Sequence, residues 1–240
     1  MIAALERALL DSAAEPAVRV IVLSAVGSVF SSGHDLRQLR RLIGDEPPAA
    51  ESAAEASVER CLPVFEACSR MMAGIVRLPK PVIASVQGLA TAAGCQLVAS
   101  CDLVVAAESA TFATPGVSLA LFCSTPAVAV ARSIGRKAAM EMLLTGDRVP
   151  ADRARELGLV NRVVADEDLE QETLALAQQI ASRSQLALRL GKEAFYRQLE
   201  LDLESAYALT SRTMALNLSS ADASEGIDAF FDKREPRWSS

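Results

Sequence analysis

PVIASVQGLATAAGCQLVASCDLVVAA, residues 81–107, contains two apolar segments of strand length with a helical segment between them. The segments 82–86 and 102–106 are predominantly apolar and of strand length, which predicts strands that are buried on both faces. Residues 92–100 predict a short helix, and Gly88 marks a turn. A strand, a helix and a second strand in this order are typical of an α/β fold.

The sequence on either side of this stretch also predicts strands and helices. Before this stretch, the spacing of apolar residues predicts a helix at 2–12, a buried strand at 19–24 and a long amphipathic helix at 56–78. After it, the patterns predict helices at 125–133, 136–144 and 151–157, a strand at 159–164, and helices at 167–183, 185–199, 203–218 and 222–233. We therefore expect an α/β body over residues 1–165 and a helical region over residues 166–240.

Two segments near the N-terminus predict loops. Residues 29–35 are rich in small side chains, and Asp35 is expected to cap a helix at 36–43. Residues 44–55 contain two prolines, four acids and no large apolar side chain. This composition predicts a mobile excursion on the surface.

The composition excludes several classes of protein. The chain has 240 residues, of which 51% are apolar and 22% charged, and its formal net charge is −6. No run of lysine and arginine is long enough to follow a nucleic-acid backbone, and no apolar run approaches the roughly 20 residues of a membrane span. We therefore expect neither nucleic acid nor a membrane as a partner.

The N-terminus and the cysteines bear on the expected location. Residues 1–15 include four charged side chains and resemble neither a secretory signal nor a transit peptide, so we expect a cytoplasmic protein. The five cysteines lie mostly among apolar residues and include no C-x-x-C pair. Reduced, buried thiols fit this pattern best.

The sequence lacks the motifs that identify several common enzyme classes. The sequence contains no G-x-G-x-x-G, no Walker-type phosphate loop and no G-x-S-x-G. His34 is the only histidine, which excludes a zinc site built from several histidines. We expect no metal.

Two glycine-containing loops follow apolar strands, and each leads into a helix. They are FSSGHDL at 30–36 and GLATAAGCQ at 88–96. Small residues let backbone N–H groups approach a ligand, and a helix N-terminus adds positive partial charge. Together the loops could hold an oxyanion between two donors. Two tight turns between a strand and a helix explain the pattern equally well.

Four segments in order resemble the enoyl-CoA hydratase/isomerase (crotonase) superfamily. They are residues 30–36, 81–107, MEMLLTGDRVPADRARELGLVNRVV at 140–164 and FFDKREPRW at 230–238, and the likeness runs from about residue 18 to the C-terminus. The resemblance implies a crotonase-like spiral of β-β-α turns with a C-terminal helical trimerisation region. It also implies an acyl-CoA thioester as the partner, coenzyme A only as part of that substrate, and a homotrimer or homohexamer. FATPGVSLALFCSTP at 112–126 is similar to one subgroup in particular.

The resemblance assigns roles to residues of both loops. It implies an oxyanion hole formed by the backbone N–H groups of His34 and Ala93. Asp35 would stabilise the first loop, and Arg37 lies where relatives often have a lysine near the CoA phosphates. The implied substrate-binding residues are Ser32, Gly33, Asp35, Arg37, Gly94 and Ser124.

The chain departs from the superfamily at the positions that carry proton transfer. Relatives that hydrate enoyl thioesters have glutamates where this chain has Gln96 and Gly116. Glutamine can hold a water molecule but exchanges no proton near neutral pH, and glycine does neither. Ser124 stands where some other relatives have an aspartate. The usual general acid and base are therefore expected to be absent.

A second departure concerns the N-terminus. Members of the superfamily usually begin with a β-hairpin whose loop helps to hold the CoA adenine, whereas this chain begins in the helix that follows. Either the sequence lacks the start of the protein or the adenine pocket is incomplete.

Three function classes remain open. The first is an enoyl-CoA hydratase or isomerase with weak or rerouted activity, and the second is a decarboxylase or thioesterase acting on a CoA thioester. Decarboxylation generates an enolate without a base, and His34 could then supply the proton. The third is a non-catalytic acyl-CoA-binding protein. Cys95, Cys123 and Ser124 are pocket candidates, but the sequence suggests no base to activate them, which favours packing over nucleophilic catalysis.

Overall fold

The computed structural model of the chain describes residues 1–43 and 51–239. The strands in this part are β1 (Ile21–Leu23), β2 (Val29–Ser31), β3 (Val82–Val86), β4 (Leu89–Thr91), β5 (Leu103–Ala107), β6 (Thr111–Ala113), β7 (Val149–Pro150) and β8 (Arg162–Val164). The helices are α1 (Ile2–Ala14), α2 (Leu36–Ile43), α3 (Glu51–Arg77), α4 (Ala93–Ser100), α5 (Ser124–Ser133), α6 (Arg136–Thr145), α7 (Ala151–Leu157), α8 (Leu169–Ala181), α9 (Gln185–Gln198), α10 (Leu203–Leu218) and α11 (Ala221–Asp232). No helix among the described residues is long and apolar enough to cross a membrane.

The strands form two sheets that the chain visits in turn. One sheet has the order β1-β3-β5-β8 and the other the order β2-β4-β6-β7. Neighbouring strands are parallel, except that β6 and β7 are antiparallel. Each of the first three turns therefore adds one strand to each sheet before helices return the chain, whereas in the last turn α7 lies between β7 and β8. This topology is the predicted spiral of β-β-α turns.

The two strands predicted most clearly lie in the middle of the first sheet. Every residue of β3 is buried, and four of the five residues of β5 are buried. Helices cover both faces, because α3 and α4 contribute to the main apolar cluster and α8 packs through Leu169 and Leu176 against Ile83 and Val105. Continuous apolar strands are expected where a parallel sheet is covered on both faces. The division of the chain at residue 165 stays a prediction.

The second sheet was not foreseen. Its strands have only two or three residues each, and small side chains such as Ala90 and Ser31 leave no apolar alternation for a pattern to detect. Their extended conformation depends on pairing with neighbouring strands rather than on local propensity. The predicted loop at 29–35 is therefore wrong for its first three residues, which form β2.

The predicted excursion at 44–55 has a mixed outcome. Residues 44–50 lie outside the described residues, and residues 51–55 belong to α3, so the prediction of a loop is wrong for this second part. Alanine and glutamate predominate in residues 51–55, and both favour helix. The other predicted helices are present, with ends that differ by one to two residues in most cases.

A buried ion pair fastens the helical region to the first sheet. The Lys192 Nζ of α9 lies 2.6 Å from Asp102 Oδ2, and the two side chains are only 7% and 15% exposed. The Val82 N–H and the Tyr196 hydroxyl also donate to this carboxylate. The same ammonium donates to the carbonyl oxygens of Ile75 and Lys80, so all three of its protons are used.

The C-terminal segment folds back on the helices. The Arg234 guanidinium and the Arg237 N–H donate to Glu225, and the Arg234 hydrogen bond lowers the pKa of that carboxyl to about 2. The Trp238 indole donates to the Ser182 carbonyl oxygen. This segment therefore ties α8 and α11 together.

We expect Lys192→Met to lower the free energy of unfolding by about 3–5 kcal/mol, because it leaves the Asp102 charge buried without its cation. Urea denaturation of the purified protein measures the change. The matched control is Arg132→Met, which removes a cation from an ion pair with Glu200 whose side chains are 62% and 64% exposed. The control is expected to cost about 0–1 kcal/mol. Equal losses in the two variants would contradict a special role for Lys192.

Candidate functional site

The two glycine-containing loops meet at Gly33. This residue has φ of +86°, and a Cβ atom there would lie 3.1 Å from the Ala93 nitrogen and 3.2 Å from the Thr91 carbonyl oxygen. At Gly94, a Cβ atom would overlap the carbonyl oxygen of Ser31 at the end of β2. Only glycine permits both approaches without displacing backbone. The structure therefore brings Gly33, Ala93 and Gly94 together, as two convergent donor loops require.

Ala92 holds the second loop in an unusual backbone conformation. Its φ of 51° and ψ of −119° lie in a region that L residues rarely adopt. The conformation is fixed on both sides, because the Ala92 N–H donates to the Ala113 carbonyl oxygen and the Ala92 carbonyl oxygen accepts from the Gln96 N–H, each over 3.0 Å. Strain of this kind persists where surrounding contacts determine the backbone. It sets the direction of the Ala93 N–H.

Two backbone donors at this junction remain available. Ala93 is the first residue of α4, so its N–H has no partner within the helix. Within the described ranges 1–43 and 51–239, neither this N–H nor that of His34 has a hydrogen-bond acceptor. Both groups can therefore donate to a ligand.

The side chain of His34 packs against α3. Its ring lies edge-on to Phe65, with the ring centroids 5.5 Å apart, and its Nε2 atom is buried without a partner among the described residues. Burial lowers the pKa of His34 below the usual 6.5. The imidazole is therefore mainly neutral at pH 7.

Gln96 is buried in the first turn of α4. The residue is only 3% exposed, and its Oε1 has no hydrogen-bond partner in the described part of the chain. The Thr91 Oγ1, at the end of β4, is a second buried polar atom without a described partner. Thr91 and Gln96 flank the second donor loop in the chain, and each has a buried polar atom without a described partner.

The position of Gly116 leaves no space for a larger residue. Gly116 lies in a 3₁₀ turn at Pro115–Leu119, and its φ is outside the left-handed region. A Cβ atom there would lie 2.8 Å from the Leu121 carbonyl oxygen and 2.9 Å from the Cys123 Sγ. A glutamate at this position would therefore require the loop after Pro115 to move.

The cysteines and Ser124 show no sign of activation. Burial, with a smaller contribution from the nearby Cys123, raises the pKa of Cys95 to about 12. The Ser124 side chain is exposed, and its hydroxyl donates only to the Phe122 carbonyl oxygen, over 3.4 Å. The structure therefore offers a neutral thiol and an ordinary hydroxyl.

The predicted cap of α2 is present. Asp35 Oδ1 accepts hydrogen bonds from the Arg37 and Gln38 N–H groups, over 2.8 and 3.4 Å. The side chains of Ser32, Asp35 and Arg37 are exposed, which leaves Arg37 accessible to an anion. Sequence reasoning missed the strained Ala92, the contact of Phe65 with His34 and the packing of Cys123 against Gly116. Only Phe65 carried a signal, since it belongs to the apolar face of α3.

Comparison with known proteins agrees with the fold. The family profile described as "Enoyl-CoA hydratase/isomerase" matches residues 1–240. The chain is 48% identical over 239 residues to the human enoyl-CoA hydratase domain-containing protein 3, mitochondrial, and 47% identical over 239 residues to the Mus musculus protein. Each alignment covers 100% of this chain and 75% of the relative. This is the subgroup that residues 112–126 resemble.

Solved structures give the same assignment. The crystal structure of an enoyl-CoA hydratase from Mycobacterium smegmatis superimposes with a TM-score of 0.90 at 48% identity, covering 100% of this chain and 88% of that one. The human enoyl-CoA hydratase domain-containing protein 3 superimposes with a TM-score of 0.88 at 47% identity, covering 99% and 88%. The predicted crotonase fold is thereby confirmed.

One expectation is wrong. Residues 1–15 predicted a cytoplasmic protein, but the relatives that are 47–48% identical are mitochondrial by name. The chain spans 75% of the length of the human and mouse relatives.

The profile match over the whole chain, the high identity to these relatives and the matching folds have one common explanation. This chain belongs to the enoyl-CoA hydratase/isomerase family.

Proposed function

We propose that this protein binds acyl-CoA thioesters and holds the thioester oxygen between the backbone N–H groups of His34 and Ala93. The observation that carries the proposal is the approach of Gly33 to the Ala93 nitrogen, because it brings the two donor loops into contact. Two convergent donors stabilise the negative charge that develops on a thioester oxygen when an enolate forms. The positive end of α4 adds to this stabilisation.

The remaining candidate residues complete the proposed binding site. Ser32 and Gly94 line the loops on either side of the donors, and Asp35 fixes the start of α2 through its capping hydrogen bonds. We assign Arg37 to the CoA phosphates, since its exposed guanidinium can donate two parallel hydrogen bonds to a phosphate. Ser124, at the start of α5, is assigned to the wall of the acyl pocket.

The proposed chemistry is enoyl-CoA hydratase or isomerase activity that is weak or rerouted. Gln96 and Gly116 carry no titratable group at the two positions where relatives have glutamates. The low pKa of His34 makes it a poor proton donor at neutral pH, and this counts against a decarboxylase that depends on that proton. The high pKa of Cys95 counts against a thioesterase with a thiol nucleophile.

A second candidate is an acyl-CoA-binding protein without catalytic activity. The packing of Leu121 and Cys123 around Gly116 favours it, since this packing fills the space that a second glutamate would need. Both candidates share the binding site, and only measurement of turnover separates them.

We expect Gly33→Ala to weaken the binding of butyryl-CoA by about tenfold or more, because the added methyl group separates the loops and crowds the Ala93 N–H. Isothermal titration calorimetry measures the affinity. The matched control is Gly27→Ala: Gly27 also has positive φ, +97°, but no atom lies within 4 Å of its Cβ position. Both variants carry similar backbone strain, so equal affinities in the two would contradict the proposed donor site.

Hydration of crotonyl-CoA should proceed several orders of magnitude more slowly than in a relative that has both glutamates. General acid and base groups contribute roughly 10² to 10⁴-fold each. Gln96→Glu should restore little, because one carboxylate cannot both position water and protonate the α-carbon. The loss of enoyl absorbance measures the rate. Rapid hydration by the unaltered protein, free of contaminating enzyme, would mean that another group transfers the protons.

We also propose a homotrimer or homohexamer assembled through the helical region. No residue of α10 is buried, and large apolar side chains such as Tyr207, Met214 and Phe230 are 65–79% exposed. Exposed apolar surface of this extent is typical of an interface.

Light scattering should therefore give a mass three or six times the 25.4 kDa of one chain. Met214→Glu places a charge on this surface and should shift the mass towards the monomer, whereas Glu141→Gln, an exposed change on α6, should not. A monomeric mass for the unaltered protein at micromolar concentration would overturn the proposal.

A further inference from the structure

Thr114 is a fully buried threonine between β6 and the 3₁₀ turn at Pro115–Leu119. Its hydroxyl donates to the carbonyl oxygen of Met142, in the last turn of α6, over 2.9 Å. The same carbonyl oxygen accepts the N–H of Gly146, which ends α6, over 3.0 Å. A buried hydroxyl costs free energy when its partner is removed, so this bond holds the end of β6 against the end of α6.

A second contact joins the same two segments. Gly146 has φ of +71°, and a Cβ atom there would lie 3.0 Å from the Pro115 Cα and 3.2 Å from the Val117 Cγ2. The end of α6 therefore packs directly on the residue that follows Thr114. Together the two contacts fix the backbone around Thr114 relative to α6.

The residue before Thr114 provides the hydrogen-bond acceptor for Ala92. The carbonyl oxygen of Ala113, at the end of β6, accepts the Ala92 N–H over 3.0 Å. Ala92 has a backbone conformation that L residues rarely adopt, and such a conformation persists only where its contacts hold it. We therefore expect Ala92 to relax if the end of β6 moves.

Relaxation of Ala92 would change the direction of the donor that follows it. The planar peptide group between Ala92 and Ala93 carries the Ala93 N–H, and ψ of Ala92 sets the orientation of that plane. A change in this angle turns the N–H without unfolding α4. The direction of the Ala93 N–H therefore depends on the position of the Ala113 carbonyl oxygen.

We infer that Thr114 is a positioning residue for the proposed thioester site, because its hydroxyl fixes the end of β6 and so directs the Ala93 N–H. The inference rests on the proposed function, which assigns that N–H to the thioester oxygen. Thr114 acts through the backbone of Ala113 and Ala92 and needs no contact with the substrate. It sets how strongly the bound thioester carbonyl is polarised, since an oxyanion donor acts only when it is correctly directed.

The test measures polarisation of a bound thioester carbonyl. The probe is dimethylaminocinnamoyl-CoA, a conjugated thioester whose absorption moves to longer wavelength when hydrogen bonds draw electrons towards its carbonyl oxygen. Thr114→Val keeps the size of the side chain and removes the hydroxyl. We expect this variant to lose about half or more of the red shift, because one of two convergent donors is turned away. Thr114→Ser keeps the hydroxyl and should retain the shift.

The shift is measured with the probe saturated by protein, so that a change in affinity does not alter it. The matched control is Thr173→Val. Thr173 of α8 is 1% exposed, and its hydroxyl pairs with the Ser85 Oγ of the first sheet over 3.1 Å. This control removes a comparably buried hydroxyl that belongs to neither donor loop, and it should leave the shift unchanged. Equal losses in the two valine variants, or no loss in Thr114→Val, would overturn the inference.

Gly146→Ala tests the same link from the side of α6. The added methyl group would displace the end of α6 from Pro115, so the red shift should again fall. Its control is Gly158→Ala: Gly158 ends α7 with φ of +93°, but its Cβ position is 3.5 Å from the nearest atom, the Ser133 carbonyl oxygen. If Thr114→Val fails to fold, this pair decides, and equal shifts in the two alanine variants would overturn the inference.

The failure of the underlying proposal would look different. If the unaltered protein does not bind the probe, or binds it without a red shift, the proposed donor site is wrong and the role of Thr114 falls with it. If the unaltered protein and Thr114→Val give the same red shift, the donor site is supported and only the role of Thr114 is wrong.

Discussion

The close contact between the end of β2 and the first turn of α4 is the constraint on which the candidate site depends. Gly94 lies directly against the Ser31 carbonyl oxygen, and Gly33 lies against Ala93. These contacts leave no room for side chains, so they expose backbone donors instead. A site built from main-chain groups tolerates wide variation in side chains. This explains how His34, Ala92 and Ala93 can occupy the two loops without removing a single N–H group.

Much of the fold could be predicted from the sequence because long elements carry periodic signals. The strands β3 and β5 are predominantly apolar, and the helices repeat apolar residues at helical spacing. The second sheet carried no such signal, since its strands are two or three residues long and form through pairing between distant segments. A local sequence pattern cannot predict pairing between short strands that come together only in the folded chain.

The same distinction applies to the candidate site. Glycine-containing loops before helices, and the aspartate that caps α2, were visible in the sequence, as were the neutral residues at positions 96 and 116. How these residues are arranged in space could not be predicted from the sequence. The strained backbone of Ala92 depends on its hydrogen bond to the Ala113 carbonyl oxygen of β6, and the space beside Gly116 is filled by Leu121 and Cys123 of the following loop. Both depend on the backbone path of the folded chain, which a local pattern of residue types does not report.

The carboxylate of Asp102 joins two parts of the molecule that lie about ninety residues apart in the chain. It accepts the Val82 N–H at the start of β3 and also binds Lys192 of α9. When α9 lifts away, the carboxylate loses its cation and can turn towards water, which frees the Val82 amide. Hydrogen exchange at that one amide would therefore follow the detachment of a helix far along the chain. The central strand and the helical region would open as one cooperative unit.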